Sequence, residues 1–264
     1  MNKNLFDKNI MVIDVGNTNT VFALVNNDGI MHKWRMSTIV HRTADEYETY
    51  LNAFLSKINA SVLSDVVISS VVPAVNHELK SFISEYFKIT PRIIGDNISP
   101  KLSVSLDRPD EIGADRLVNS LAALRIYGSP IIVIDFGTAT TFDIVDRNNS
   151  YIGGIISPGV HLSMDALDKA TARLPRIAIV KPDKVIGTNT ISAMQSGIFW
   201  GYIGLLEGVI TKIKKENNDD MKVIATGGLA NLFKPYTEAI DFIDDDLTLK
   251  GIALTWNFEL DIFS

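Results

Sequence analysis

Two stretches of the chain end an apolar run with a carboxylate, a glycine and a series of hydroxyl and amide side chains. They are Asp14-Val15-Gly16-Asn17-Thr18-Asn19-Thr20, followed by Val21, and Asp135-Phe136-Gly137-Thr138-Ala139-Thr140-Thr141. Gly16 permits a tight turn and close approach of the backbone to a ligand. Asn17, Thr18, Asn19 and Thr20 supply donors that suit phosphate oxygens. Asp14 cannot touch a phosphate directly because like charges repel, so its place beside such a turn makes sense when a cation bridges the two. Taken alone, this turn reads as readily as hairpin punctuation by Asp and Gly. A second copy favours a ligand with a polyphosphate long enough to meet both.

A third group, Gly113-Ala114-Asp115-Arg116, opens a predicted helix. Transfer to an alcohol needs a group that orients or accepts the hydroxyl proton, and a guanidinium can hold a carboxylate in bidentate fashion. The competing reading is structural: Asp115 stabilises a helix N-terminus and Arg116 makes a surface ion pair.

These groups need a scaffold, and the chain alternates as an α/β protein should. The two carboxylate turns lie 121 residues apart (135 − 14), close to half of 264. Each is followed by a second apolar run, Val21 to Val25 or Phe142 to Val145, and then by a turn-rich patch. Two hairpins from an old duplication are expected, with halves 1–117 and 118–264. Thr43-x-x-Glu46 is a capping box before a helix through Tyr47, Leu51, Phe54, Leu55 and Ile58. Strands are expected at Val66 to Val72 and Arg92 to Ile94, helices at Asn76 to Phe87 and Ala114 to Tyr127, and a loop over 96–112. A long helix from Ile191 to Lys215 places Gly197, Gly201, Gly204 and Gly208 on one face. Val223 to Gly228 reads as a strand entering a glycine turn.

Composition narrows the partners. The net charge is −6 with no basic cluster, which argues against nucleic acid and anionic membrane. There are no cysteines, hence no disulfide, thiolate metal site or catalytic thiol. Met1 to Asp7 lacks the apolar core of a signal peptide, and the longest oily stretch, Ile198 to Leu206, is about half a membrane span. A cytoplasmic protein is expected. His32, His41, His77 and His161 have no metal-ligand spacing, and the acidic run Asp241 to Asp246 reads as a solvated turn.

Both halves resemble the actin, hexokinase and Hsp70 superfamily, with duplicated RNase H-like halves and an ATP cleft between them. Six motifs in order narrow the likeness: Asp14-x-Gly-Asn-Thr-Asn, Gly113-Ala-Asp-Arg116, Asp135-x-Gly-Thr-Ala-Thr, Gly153-Gly-Ile-Ile-Ser-Pro-Gly159, Gly187-x-x-Thr190 and Thr226-Gly-Gly228. Together they resemble the type III pantothenate kinases. That resemblance implies phosphorylation of pantothenate by ATP to 4′-phosphopantothenate, the first step toward coenzyme A. It implies that Asp14, Val15, Gly16, Asn17, Thr18, Asn19, Thr20, Val21 and Thr138 contact ATP. Asp135 would hold K+ or NH4+, and Asp14 would lie near Mg2+. Asp115 would be the catalytic base, with Gly113, Ala114, Asp115, Arg116 and Thr190 around pantothenate, and Gly227 and Gly228 beside the adenosine. The other reading of Thr190 is a helix cap. A homodimer is implied as well.

One departure concerns the acceptor. Many family members carry a Tyr in a Tyr-Asp-x-Pro context before the Gly-x-Asp-Arg motif, where this chain has Ser105-Leu106-Asp107-Arg108-Pro109. Leu106 replaces a hydroxyl contact with an aliphatic wall. A kinase of another metabolite therefore stays in view, as does a catalytically silent ATP-binding regulator, although Asp14, Asp115, Arg116 and Asp135 are all present.

Overall fold

The computed structural model describes residues 9–55, 63–170 and 177–256. Met1 to Asp7, Ile58 and the side chains of Phe54 and Leu55 lie outside the described residues. The chain divides into two compact units, one of residues 1–103, 107–126 and 246–264, the other of residues 104–106 and 127–245.

The first unit is built on β1 (Asn9–Val15), β2 (Asn19–Asn26), β3 (Gly29–Ser37), α1 (Ala44–Leu55), β4 (Leu63–Ser70), α2 (Pro73–Phe87) and β5 (Arg92–Ile93). Its sheet has the order β3-β2-β1-β4-β5, antiparallel within the hairpins and parallel between β1 and β4. Alternation along β1 sends Met11, Ile13 and Val15 to one face and Ile10 and Val12 to the other. The first set packs with Tyr47, Leu51, Leu79 and Phe82 of α1 and α2. The second packs with Val118 of α3 (Ala114–Tyr127) and with Leu249, Ile252 and Ala253 of α7 (Leu247–Thr255). With both faces covered, the strand is almost continuously apolar, as a buried parallel strand must be. The capping box forms as expected: the Glu46 N–H donates to Thr43 Oγ1 at 3.3 Å, and the Thr43 N–H donates to Glu46 Oε2 at 2.8 Å.

Chain order in the second unit is β6 (Ser103–Val104, whose last residue lies here), β7 (Ile131–Phe136), β8 (Ala139–Val145), β9 (Ser150–Pro158), α4 (Val160–Ala170), α5 (Thr190–Asn217), β10 (Lys222–Gly227), α6 (Ala230–Phe233) and β11 (Phe242–Ile243). The sheet order is β11-β10-β7-β8-β9-β6. Without β6, the order β9-β8-β7-β10-β11 repeats that of the first unit strand for strand. Ile132, Ile134 and Phe136 meet Phe199, Tyr202 and Leu206 of α5 and Phe233 of α6. The fold class is α/β with duplicated halves, as the internal repeat implies.

Two expectations change. The expected 96–112 loop contains β6 and a short 3-10 turn at Pro109–Glu111. The acidic run is not simply solvated: Asp244 is buried and accepts the Tyr127 hydroxyl at 3.1 Å, while Asp241 accepts the Val223 N–H at 2.7 Å. A carboxylate that satisfies a strand-end amide is part of the sheet's own hydrogen bonding.

Candidate functional site

Asp14 is the half-exposed position near the end of an otherwise buried β1, and Asp135 holds the same place in β7. In the ladders, Asp14 lies opposite Val21 and beside Ser69, while Asp135 lies opposite Thr141 and beside Thr226. The two turns that follow differ by one residue. Val15 pairs with Thr20 across four intervening residues, whereas Phe136 pairs with Thr140 across three. The structural counterpart of Thr20 is thus Thr140, although the gapless sequence echo sets Thr20 against Thr141.

Both of those threonines are fully buried. Thr20 and Thr38 share a hydroxyl contact of 2.9 Å, and Thr38 Oγ1 donates to the Gly16 carbonyl at 2.7 Å. A hydroxyl has one proton, so Thr20 donates to Thr38. Likewise Thr140 donates to Tyr202 at 2.7 Å, because Tyr202 gives its own proton to the Pro158 carbonyl at 2.7 Å. Val15 and Val21 are core residues too. Of the expected ATP contacts, Val15, Thr20 and Val21 can therefore offer a ligand only backbone, while Asn17, Thr18 and Thr138 carry exposed side chains. The sequence carried no signal for Thr38, which lies 22 residues from Gly16.

Asp115 occupies the first turn of α3, half-buried, with its Oδ1 accepting the Arg116 N–H at 2.8 Å. A helix N-terminus favours an anion. Burial nevertheless dominates and raises the Asp115 carboxyl above its ordinary value, against the lowering effects of the Arg116 amide and guanidinium. A Cβ on Gly113 would lie 2.5 Å from Asp115 Oδ1 and 3.8 Å from Val71 Cγ1. Val71 in turn donates its N–H to the Val15 carbonyl at 3.1 Å. By strand parity Asp14 faces the side of the sheet covered by α3. The first unit thus brings the residue 14–20 turn and the residue 113–116 group to one end of one face.

In the second unit, Gly227 adopts φ +88°, and a Cβ there would lie 2.7 Å from Asp135 Oδ1 and from the Phe136 backbone. Gly159 backs the turn, since its Cβ would stand 2.2 Å from the Thr138 carbonyl oxygen. Thr190 is exposed at the first position of α5 and is not the cap. Asn189 caps the helix, taking the Ser192 N–H on Oδ1 at 2.9 Å while Ser192 Oγ accepts the Asn189 N–H at 3.2 Å. Leu106 is half-buried, with its Cδ2 3.9 Å from a Cβ built on Gly153.

Among the described residues, no group of three or more His, Cys, Asp or Glu side chains could hold a metal ion. A cation at Asp135 or Asp14 would need backbone, hydroxyl, phosphate or water oxygens to complete its shell. That donor set suits a hard monovalent ion, or a magnesium carried by phosphates. Asp135 against the side-chain-free backbone at Gly227 fits this chemistry.

Residues 10–212 match the family model of the type III pantothenate kinases. The type III pantothenate kinase of Paramagnetospirillum magneticum is 52% identical over 246 residues, covering 92% of this chain and 95% of that protein. The one from Caulobacter vibrioides is 47% identical over 247 residues, at 92% and 95% coverage. Among solved structures, the activator of the 2-hydroxyisocaproyl-CoA dehydratase from Clostridium difficile with bound ADPNP aligns with a TM-score of 0.52 and 12% identity, over 93% of each chain. At that identity the likeness is one of fold.

Proposed function

We propose how this chain, which belongs to the type III pantothenate kinase family, divides the phosphorylation of pantothenate among its own residues. The reaction moves the γ-phosphoryl group of ATP onto the primary alcohol of pantothenate, the first step toward coenzyme A. The observation that carries the assignment of residues is the matched placement of Asp14 and Asp135 in two sheets that share one five-strand order.

In this reading the backbone amides of the residue 16–20 turn, with Asn17 and Thr18, hold ATP phosphates, and Thr138 is a further proposed ATP contact. Asp115 positions the pantothenate hydroxyl and takes its proton as the in-line transfer proceeds. Its burial supports the role, because a carboxyl with raised proton affinity is the better base. Arg116 holds the pantothenate carboxylate, Gly113 and Ala114 line the acceptor, and Thr190, relieved of capping by Asn189, hydrogen-bonds it. Asp135 is the proposed ligand of K+ or NH4+, and Asp14 stands beside Mg2+. When bound, these cations offset the negative charge that accumulates on the phosphates. The halves 1–117 and 118–264 are proposed as the duplicated ancestral units, and a cytoplasmic location is proposed from the use of ATP and entry into coenzyme A synthesis.

A homodimer is proposed as well. The four α5 glycines are exposed, and a Cβ on any of them would meet nothing within 4 Å. The same unit exposes Ile156 at 64% and Ile186 at 82%. Exposed apolar side chains, and a helix backbone that allows close approach, are what a second copy can cover. Sedimentation velocity should give a dimer, and a monomer at micromolar concentration would overturn this part.

The decisive assay follows ADP release with ATP and Mg2+, with and without pantothenate, in K+, NH4+ or Na+. Pantothenate-dependent release that requires K+ or NH4+ is expected. Asp115→Asn should lower turnover by roughly 100- to 10,000-fold with ATP affinity intact. Near-normal turnover in that variant would remove Asp115 from the mechanism.

A further inference from the structure

We infer that Thr38, at the end of the β2–β3 hairpin, is a positioning residue that sets the direction of the turn's backbone amides toward the nucleotide. The inference rests on the reading that residues 16–20 hold ATP phosphates. Thr38 meets that turn three times: its Oγ1 donates to the Gly16 carbonyl at 2.7 Å, its N–H donates to the Thr18 carbonyl at 3.0 Å, and its Oγ1 accepts from Thr20 at 2.9 Å.

Two carbonyls of a short turn are thereby drawn to one side. Across a planar peptide the N–H points opposite to the C=O. The amides that follow Gly16 and Thr18, those of Asn17 and Asn19, are therefore turned away from Thr38. Within the turn itself, the Gly16 N–H donates to the Asn19 carbonyl at 3.0 Å. Donors fixed before the ligand arrives need no reorganisation, which is how a binding loop strengthens attraction to charge on phosphate. In the second unit Tyr202 and Gly159 back the corresponding turn instead. The Thr38 brace belongs to the Asp14 turn alone.

The test compares wild type with Thr38→Val, which keeps the shape and removes the hydroxyl, and Thr38→Ser, which restores it. Thr20→Val breaks the same chain from its other end, so the reasoning stays testable if one variant folds poorly. For Thr38→Val and Thr20→Val, KM for ATP should rise about tenfold. KM for pantothenate should stay within about twofold and Thr38→Ser close to wild type. An unchanged KM for ATP would overturn the inference. So would a Thr38→Ser variant as poor as Thr38→Val, or a uniform loss for both substrates that follows a fall in Tm. Asn17→Ala and Thr18→Ala separate the two levels of the argument. If they weaken ATP binding and Thr38→Val does not, Thr38 alone is wrong; if none of these variants changes ATP binding, the side-chain contacts of Asn17 and Thr18 fail together with the Thr38 brace.

Discussion

Replacing Gly113 with alanine should damage catalysis while sparing the fold. A methyl at this position would lie 2.5 Å from Asp115 Oδ1, whereas ordinary contacts begin near 3.4 Å. The carboxylate must therefore retreat by about 0.9 Å, the difference between those two distances. No strained backbone forbids the alanine, since Gly113 is not among the positive-φ glycines. The nearest atom of any residue other than Asp115, Val71 Cγ1 at 3.8 Å, already sits at van der Waals separation. The adjustment falls on the Asp115 side chain, whose Oδ1 leaves its 2.8 Å bond to the Arg116 N–H or tilts within it. Misplacing a reacting group by about 1 Å costs on the order of 100-fold in rate. The expected result is a kcat about 100-fold lower and a KM for ATP within about twofold of wild type. Tm should lie within a few degrees, since the hydrogen bond at risk is worth about 1 kcal/mol. Steady-state kinetics with both substrates varied and a thermal melt supply these numbers. A wild-type kcat would mean that the position of Asp115 does not matter to the reaction, and a collapse of Tm would mean that Gly113 serves packing instead.

The same carboxylate predicts two pH effects of opposite sense. Burial raises the Asp115 carboxyl above the ordinary value of 3.8, and a base works only when deprotonated, so the acid limb of kcat/KM should lie above that value and vanish in Asp115→Asn. A folded state that holds this proton more tightly than the unfolded chain gains stability at low pH and loses it as pH rises through the raised value. At neutral pH Asp115→Asn should then be at least as stable as wild type, despite losing turnover. Melts from pH 4 to pH 8 check this, and a variant less stable at pH 8 than at pH 4 relative to wild type would contradict it.

What the sequence made legible was local. The Thr43 box, the helix Ala114–Tyr127 and the carboxylate turns each declare themselves within a few residues, because caps, helical spacing and turn chemistry are short-range. The first residues of β4 did not. That strand starts at Leu63, ahead of the expected Val66, and carries Asp65 into a buried position. Asp65 is held there by Arg92 Nε at 2.6 Å and Trp256 Nε1 at 2.7 Å, 27 and 191 residues away. A charge so placed looks like a loop residue until its distant partners are known. Asp244 hid for the same reason, its partner Tyr127 being 117 residues off. The one-residue difference between the two turns was masked by composition. Asn-Thr-Asn-Thr and Thr-Ala-Thr-Thr align without a gap, and only the strand ladders reveal which threonine turns inward.

That inward threonine bears on what the duplication preserved. Thr20 and Thr140 are each fully buried, each directly follow the turn, and each spend their proton on a brace rather than a ligand. The braces themselves differ: a threonine from a neighbouring hairpin in one half, a tyrosine from a 28-residue helix in the other. Common to both is a carboxylate, a glycine two residues on, and a buried hydroxyl that pins the turn from beneath. A polyphosphate offered to either turn would therefore meet backbone amides and the few exposed side chains, not the hydroxyl series that first suggested phosphate. On this argument the hydroxyls of a carboxylate-glycine turn divide by ladder position into those that bind and those that hold the binding surface in place. Exposed Thr18 and Thr138 are the proposed members of the first kind, and buried Thr20 and Thr140 belong to the second.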